Sequence, residues 1–213
     1  HHTLLIALLV LSSCSTTRHL PEDEVLYTGV KRIDVVTTDT VDAEVSTAVN
    51  ALLEVEPNSS LLGSAYRQSP FPLGLWIYNG LYTEREKGLR HWIWNKFKSD
   101  PTLISQVNPD LRCRAAEVAM HDEGYFDGRV EYDVLPHKRN AKKAKIAYRV
   151  TYGRASRLSD VQYMSNKEAR LNRIVDNTRE ESRIGIGKRF SATDLEAERG
   201  RIAALMVDSG YFN

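Results

Sequence analysis

One three-residue phrase, Gly-Tyr-Phe, occurs twice in the chain, at residues 124–126 and 210–212. Each copy follows a stretch whose apolar residues recur at helical spacing, and glycine readily takes the left-handed conformation that ends a helix. The sequence therefore predicts two helices of the same kind, one ending at Gly124 and the other at Gly210, with Tyr-Phe beginning a strand after each. A repeated unit of this kind favours a modular arm over an enzyme with a single site.

Both helices also begin with a recognisable signal. Asn108 can cap the first helix and Pro109 suits its first position, while Ser191 and Asp194 form a capping box at the start of the second. We predict that the helices bury these apolar stripes: Leu111, Ala115, Val118 and Ala119 in the first, and Leu195, Ile202, Leu205 and Met206 in the second.

Alternation of apolar and charged residues predicts strands around the first helix. Residues 144–152 alternate in this way, and so do residues 129–134 after the first Gly-Tyr-Phe, in which Val130, Tyr132 and Val134 alternate with Arg129, Glu131 and Asp133. The two stretches predict an antiparallel hairpin with its turn at residues 136–142. Upstream, residues 30–37 predict a strand, and a helix follows a cap at Asp39 or Thr40 with the apolar face Val41, Val45, Ala48, Val49 and Leu52.

The second unit repeats part of this pattern. Residues 157–163 predict a strand and residues 167–176 a helix, followed by the helix capped at Ser191. Because a hairpin follows Gly124 but only three residues follow Gly210, we expect the chain to be a fragment that ends inside its second domain.

The order strand, helix, insertion, helix, strand, strand resembles the POTRA domain, the polypeptide-transport-associated module of the BamA and TamA superfamily. The resemblance rests on Gly29-Val30, residues 111–126, the hairpin to Gly153, and residues 187–212. It implies an α+β fold of tandem POTRA-like domains. The first would span residues 29–153 with an insertion at about 57–107 that a minimal POTRA domain lacks, and the second, truncated one residues 154–213.

The beginning of the chain predicts a lipid anchor. The apolar run Leu4–Leu11 is shorter than the roughly 20 residues that cross a bilayer, and its ending Leu11-Ser12-Ser13-Cys14 resembles a bacterial lipobox. Residues 1–13 would then be the remnant of a signal peptide and residues 14–28 a linker lipidated at Cys14. Residues 14–18 and 24–29 resemble the start of lipidated TamA-like proteins of Bacteroidota. The alternative is a core segment flanked by a tag, which His1-His2 suggests.

Composition argues against several other classes. The chain has 213 residues, 27% charged residues and a formal net charge of +1, so nothing favours a nucleic-acid partner, and we interpret the basic residues at 138–145 as a solvated turn. The six histidines are scattered and Cys113 fits a buried thiol. We therefore predict no metal site, no cofactor, no catalytic residues and no enzymatic activity.

The insertion is rich in aromatic residues, and its helical stripe is Leu89, Trp92, Ile93 and Phe97. One interpretation is a contact surface for unfolded outer-membrane clients or for lipid headgroups, formed by Trp76, Tyr78, Trp92 and Trp94. The other, which we favour from the spacing, is that these rings pack onto the first domain as additional core.

The POTRA resemblance also implies how the protein acts. The strand after Gly-Tyr-Phe, with site residues Arg129, Val130, Glu131, Tyr132, Asp133 and Val134, would lie at a sheet edge and pair with an extended client chain. Its charges fit edge protection equally well. We expect a periplasm-facing arm of a Gram-negative outer-membrane protein that binds unfolded β-barrel precursors or periplasmic partners and feeds a C-terminal barrel, which is inferred from the family alone. The alternative, a division-type scaffold, would require a transmembrane helix.

Overall fold

The computed structural model describes residues 16–83, 87–163 and 169–210, and it has the predicted α+β fold. The strands are β1 (Leu26–Val36), β2 (Arg129–His137) and β3 (Asn140–Thr151). The helices are α1 (Ala43–Leu53), α2 (Leu73–Gly80), α3 (Leu89–Phe97), α4 (Ile104–Val107), α5 (Pro109–Asp122), α6 (Ala169–Asn177) and α7 (Ala192–Asp208), with a 3-10 turn at Arg179–Glu181. None of the described helices is long and apolar enough to cross a bilayer.

The three strands form a mixed sheet in the order β1-β3-β2. β1 and β3 run parallel with a constant offset: the Thr28 hydroxyl donates to the Ala144 carbonyl at 2.9 Å, and the Tyr152 N–H donates to the Val36 carbonyl at 3.1 Å. β2 and β3 form the predicted hairpin. The predicted turn at 136–142 was too long, because both strands continue to a turn of two residues, Lys138 and Arg139.

The chain divides into two compact units, each assembled from three stretches. The first contains His1–Val35, Asn50–Ala116 and Val130–Val150, and the second contains Val36–Val49, Glu117–Arg129 and Thr151–Asn213. The core of the first unit includes Leu26, Tyr27, Val30, Leu53, Leu75, Ala116, Ile146 and Tyr148. The core of the second includes Val45, Val49, Met120, Tyr125 and Tyr152. The domain boundary at 153/154 stays a prediction.

Helix α5 begins as predicted, with the Leu111 N–H donating to the Asn108 side-chain oxygen at 3.2 Å. The predicted apolar stripe was wrong, because Leu111 and Val118 are 60% and 57% exposed. The helix instead buries small and flexible residues on a neighbouring face, Cys113, Ala116 and Met120. These three positions also follow helical spacing, so the sequence pattern allows either face of the helix to be buried. Packing in the folded chain selects between the two faces.

The exit of α5 has the left-handed glycine that the sequence predicts, with φ of +85° at Gly124. The Gly124 N–H donates to the His121 carbonyl and the Tyr125 N–H to the Met120 carbonyl, which is a Schellman motif. The prediction that Tyr-Phe begins a strand was wrong here, because Tyr125 is buried in the turn and β2 starts only at Arg129. At the second copy, residues 211–213 lie outside the described residues.

The predicted strand at 157–163 was also wrong. Only Arg157 forms a bridge, with Arg189, and the Leu158 N–H donates to the Lys188 carbonyl at 2.9 Å. This short stretch therefore pairs with the segment before α7 and goes no further. The α7 cap was correct, since the Asp194 N–H donates to the Ser191 hydroxyl at 3.1 Å.

The first strand and helix differ from the prediction at their starts. β1 begins at Leu26, four residues earlier than expected, because Leu26 forms a bridge with Leu103 from the insertion. The cap of α1 is Asp42, whose carboxylate accepts the Glu44 N–H at 2.9 Å, rather than Asp39 or Thr40. Val45, Val49 and Leu53 form its buried face.

Candidate functional site

β2 is one of the two edge strands of the sheet. The structure places the six predicted edge residues along its first two thirds. Val130 is buried and Tyr132 is partly buried, while the exposed side chains are Arg129, Glu131, Asp133 and Val134. The alternation predicted from the sequence is therefore real, with apolar side chains packed against the molecule and charges facing solvent at the start of the strand.

The opposite edge of the sheet, at β1, is covered by the insertion. The Tyr27 N–H donates to the Thr102 carbonyl at 2.9 Å, and the Ile104 N–H donates to the Val25 carbonyl at 2.9 Å. Further along, the Val30 N–H donates to the Ala65 carbonyl at 2.8 Å. The first half of the β1 edge is thus already paired with segments of the same chain, which removes it as a template for an incoming strand.

Asn58 holds this cover in place. Its side-chain oxygen accepts the Thr102 N–H at 2.6 Å, and its side-chain nitrogen donates to the Asp100 carbonyl at 2.8 Å and to the Ser99 hydroxyl at 3.0 Å. Gly29 allows the close approach on the other side, because a Cβ there would lie 2.5 Å from the Ala65 oxygen. Because the Asn58 side chain bonds three different groups, it fixes the loop at residues 99–102 against β1.

No comparable cover reaches β2 in the described part of the chain. The backbone hydrogen bonds described outside the sheet connect none of residues 131–136 to another segment. Pro136 lies within β2, and proline occurs in sheets mainly on edge strands because it cannot donate to a neighbour. An incoming strand could therefore pair with the part of β2 before Pro136.

Charged side chains surround a shallow cleft of about 270 Å³ across the three strands. Arg149 of β3 lies 4.0 Å from the Glu131 carboxylate of β2, and Arg32 lies 2.6 Å from the Asp34 carboxylate within β1. The Tyr132 hydroxyl donates to Asp110 at 3.1 Å, and burial followed by this bond raises the pKa of Tyr132. These groups pair with one another, so the cleft suits a polar chain more than a catalytic reaction.

The predicted aromatic contact residues lie on an aromatic hairpin, which we define as residues 71–98 with helices α2 and α3. Trp76, Tyr78 and Trp94 are partly buried, and the Trp94 indole donates to the Tyr78 carbonyl at 3.1 Å. Trp92 is 53% exposed, and no residue of α3 is buried. The interpretation that the stripe adds to the core was therefore wrong for α3, because the opposite face of the helix makes the contacts.

A buried carboxylate in the second unit was missed by the sequence reasoning. Glu198 of α7 is only 2% exposed and accepts bonds from Arg201 at 2.6 and 3.0 Å and from the Tyr163 hydroxyl at 2.8 Å. The hydrogen bonds from Arg201 hold the pKa of Glu198 down at about 2. The i,i+3 spacing of Glu198 and Arg201 is the signal that could have found this pair.

This network borders a cavity of about 770 Å³ with mainly apolar walls, which include Val161, Val175, Ile184, Leu195, Ile202 and Met206. Leu195, Ile202 and Met206 belong to the predicted α7 stripe, and none of them is buried. Since protein donors already satisfy Glu198, the carboxylate stabilises the packing of α7 and offers little for catalysis.

The remaining site predictions concern metals and the anchor. Within the described ranges, no group of three His, Cys, Asp or Glu side chains is arranged to hold a metal ion. Cys14, the predicted lipidation site, lies outside the described residues. Comparison with protein-family models, curated proteins and solved structures finds no match.

Proposed function

We propose that this chain is a POTRA-like periplasmic arm that binds extended segments of unfolded outer-membrane proteins along β2. The observation that carries the proposal is the asymmetry of the sheet: the insertion covers the first half of the β1 edge, whereas no described loop pairs with residues 131–136. The covered half of β1 cannot accept a further strand, so we expect a client strand to add along β2.

Pairing at this edge suits temporary holding of a client. Each hydrogen bond contributes about 0.5–1.5 kcal/mol net, so a client strand of a few residues is bound weakly and released readily. Backbone pairing also places little demand on client sequence. The charges of Glu131 and Asp133 fit this role as well, because they discourage two copies of β2 from pairing with each other.

The proposal includes the surroundings of the arm. Acylation at Cys14 would attach it to the periplasmic side of the outer membrane of a Gram-negative bacterium, and several acyl chains give durable attachment. A barrel-forming domain elsewhere in the protein would receive the client, as the POTRA resemblance implies. Mass spectrometry of the membrane fraction tests the anchor, and an unmodified Cys14 in the mature protein would contradict it.

Site-specific photo-cross-linking tests the edge. A photoreactive residue at Asp133 on β2 and another at Lys31 on β1, next to the Val30 N–H that donates to the Ala65 carbonyl, form a matched pair, because both replace exposed charged residues on edge strands. The probe is an extended peptide of alternating apolar and polar residues, the pattern of a barrel strand. We expect cross-links from position 133 and few from position 31.

Hydrogen exchange supplies the second measurement. Addition of the same peptide should slow exchange of amides within residues 131–135 and leave residues 26–30 unchanged. Protection at β1 instead, or no protection at either edge, would contradict the proposal. A division-type scaffold would differ in selectivity: one folded partner would bind at β2, and unrelated strand peptides would not compete with it.

A further inference from the structure

The outer face of the aromatic hairpin is a surface that the proposed edge does not use. On α3, Leu89, Trp92 and Phe97 are 73%, 53% and 52% exposed, and their spacing places them on one side of the helix. At the α2 end of the hairpin, Phe71 and Leu73 are also more than half exposed. A concentration of large apolar side chains in so short a segment marks a contact surface.

The hairpin is held together without this face. Arg90 donates to the carbonyls of Gly80, Leu81 and Tyr82 at the end of α2, at 3.2 to 3.4 Å. At the other end, the Ser99 N–H donates to the Gly74 carbonyl at 3.1 Å. These bonds join the two ends of the hairpin through groups other than the exposed apolar side chains.

The charge around the face is basic. The described residues 87–100 contain four cations, Lys87, Arg90, Lys96 and Lys98, and one carboxylate, Asp100, which pairs with Lys98 at 3.1 Å. The Lys96 ammonium lies 5.2 Å from the centre of the Trp92 ring and 6.0 Å from that of Phe97, so it sits among the apolar side chains. Tryptophan beside a long basic side chain is typical of a surface at the level of lipid headgroups.

The hairpin also lies near the proposed anchor in the chain. The His19 N–H donates to the Asn79 side-chain oxygen at 2.9 Å, and the His19 ring stacks on Tyr82 with centroids 4.5 Å apart. His19 is five residues after Cys14, a distance that the chain spans with at most about 18 Å. A lipid on Cys14 would therefore bring the hairpin close to the membrane.

We infer that the outer face of the aromatic hairpin lies in the headgroup layer of an anionic phospholipid bilayer, as a second membrane contact beside the acyl anchor. The inference rests on the proposed lipidation for its location, and on the apolar and basic side chains of α3 for its chemistry. A helix this short binds weakly by itself. Attachment through Cys14 raises its local concentration at the membrane, so that a weak contact is occupied and sets the orientation of the arm.

Vesicle binding tests the inference without the acyl chains. The full chain with Cys14→Ser is mixed with vesicles of phosphatidylcholine alone or with added phosphatidylglycerol, and binding is measured by co-sedimentation. We expect binding to the anionic vesicles that falls with added salt. In that background Trp92→Glu should lower the affinity for anionic vesicles by at least about tenfold, since it removes an apolar ring that would lie in the headgroup layer. Lys96→Ala should lower it by about fivefold.

Two further variants distinguish insertion of the Trp92 ring from a general effect of added negative charge. Val118→Glu replaces an apolar residue of α5 that is as exposed as Trp92, and it should leave binding unchanged. Trp92→Phe should retain binding but lose much of the blue shift in tryptophan emission. The apolar residues 4–11 are common to all variants, so their own affinity for lipid cancels in the comparison.

Equal binding by the Cys14→Ser chain and its Trp92→Glu derivative would overturn the inference, as would equal binding to neutral and anionic vesicles. If the face instead binds a protein partner, neither the Cys14→Ser chain nor its Trp92→Glu derivative should bind vesicles. Trp92→Glu should then lose a protein that cross-links to the Cys14→Ser chain. Peptide cross-linking at Asp133 is a separate measurement, so failure of the membrane contact and failure of the proposed edge are distinguishable.

Discussion

The two helices that end in Gly-Tyr-Phe have the same glycine conformation at their exits and different surroundings among the described residues. Gly124 and Gly210 have φ of +85° and +86°. A Cβ at Gly124 would lie 2.7 Å from the Phe190 carbonyl oxygen, whereas at Gly210 it would meet no described atom within 4 Å. The repeated motif therefore determines how each helix ends, and the neighbours determine how much the glycine contributes to stability.

The residue before each glycine differs in the same way. The Glu123 carboxylate accepts bonds from Arg189 at 2.7 Å, from Thr193 at 3.1 Å and from Ser191 at 3.2 Å, which ties the exit of α5 to the start of α7. At Ser209, the described hydrogen bond is the backbone bond from its N–H to the Leu205 carbonyl. The first helix exit is thus a packed junction, whereas the hydrogen bonds described at the second exit stay within its own helix.

The largest expected effect is that of Gly124→Val. A branched residue with positive φ is strained, and its Cβ would force the Phe190 backbone to move. We expect a loss of about 4 kcal/mol in the free energy of unfolding, at the upper end for single substitutions. Chemical denaturation measures it, and a loss below that of Gly210→Val would contradict the comparison.

The second prediction compares the residues that the two helices bury. α7 buries a carboxylate, Glu198, where α5 buries Ala116 and Met120. Glu198→Gln should lower the free energy of unfolding by about 2 kcal/mol at neutral pH, because the charged bonds to Arg201 are lost.

The same pair predicts a pH dependence. The pKa of Glu198 is lowered from 4.5 to about 2, so its contribution is present above pH 4.5 and is lost as the pH falls toward 2. Denaturation at a series of pH values should show a smaller loss in Glu198→Gln than in the native chain over this window. An identical pH profile in both would show that Glu198 does not carry the effect.

A smaller loss is expected from Glu123→Ala, which removes the acceptor for Arg189, Ser191 and Thr193. Thr193 is exposed and Arg189 is partly exposed, so these two donors can turn to water, whereas the buried Ser191 hydroxyl loses this acceptor. We therefore expect a loss of about 1.5 kcal/mol. Hydrogen exchange should show faster opening at residues 192–196 than in the native chain. Ser209→Ala is the matched control at the other helix exit and should leave exchange nearly unchanged.

The smallest effect is expected from Gly210→Val. The backbone strain is the same as at Gly124, but no described atom opposes the new side chain, so we expect about 1 kcal/mol. The difference between the two valine variants isolates the contribution of packing at Gly124. Equal losses would mean that the left-handed backbone alone explains both glycines.

Sequence patterns predicted several of the helices and strands better than their contacts. Alternation located β2 and β3, and caps located α5 and α7, because these signals act over a few residues. The covered edge of β1 could not be predicted, because it depends on Asn58 and Ala65 returning to a strand that lies far from them in sequence. The stripe on α3 shows the same limit: periodicity predicted an apolar face, and only the contacts of Trp94 show that this face points outward.

The sequence by itself determined where this chain turns. Glycine at 124 and 210 ends two helices in the left-handed conformation because that choice depends on the residue's own missing Cβ. Only the tertiary structure decided which faces are buried and which sheet edge stays open. Those outcomes depend on which distant segments supply matching apolar surface and hydrogen-bond partners, as Ser156 does for Gly124 and Thr102 for Tyr27.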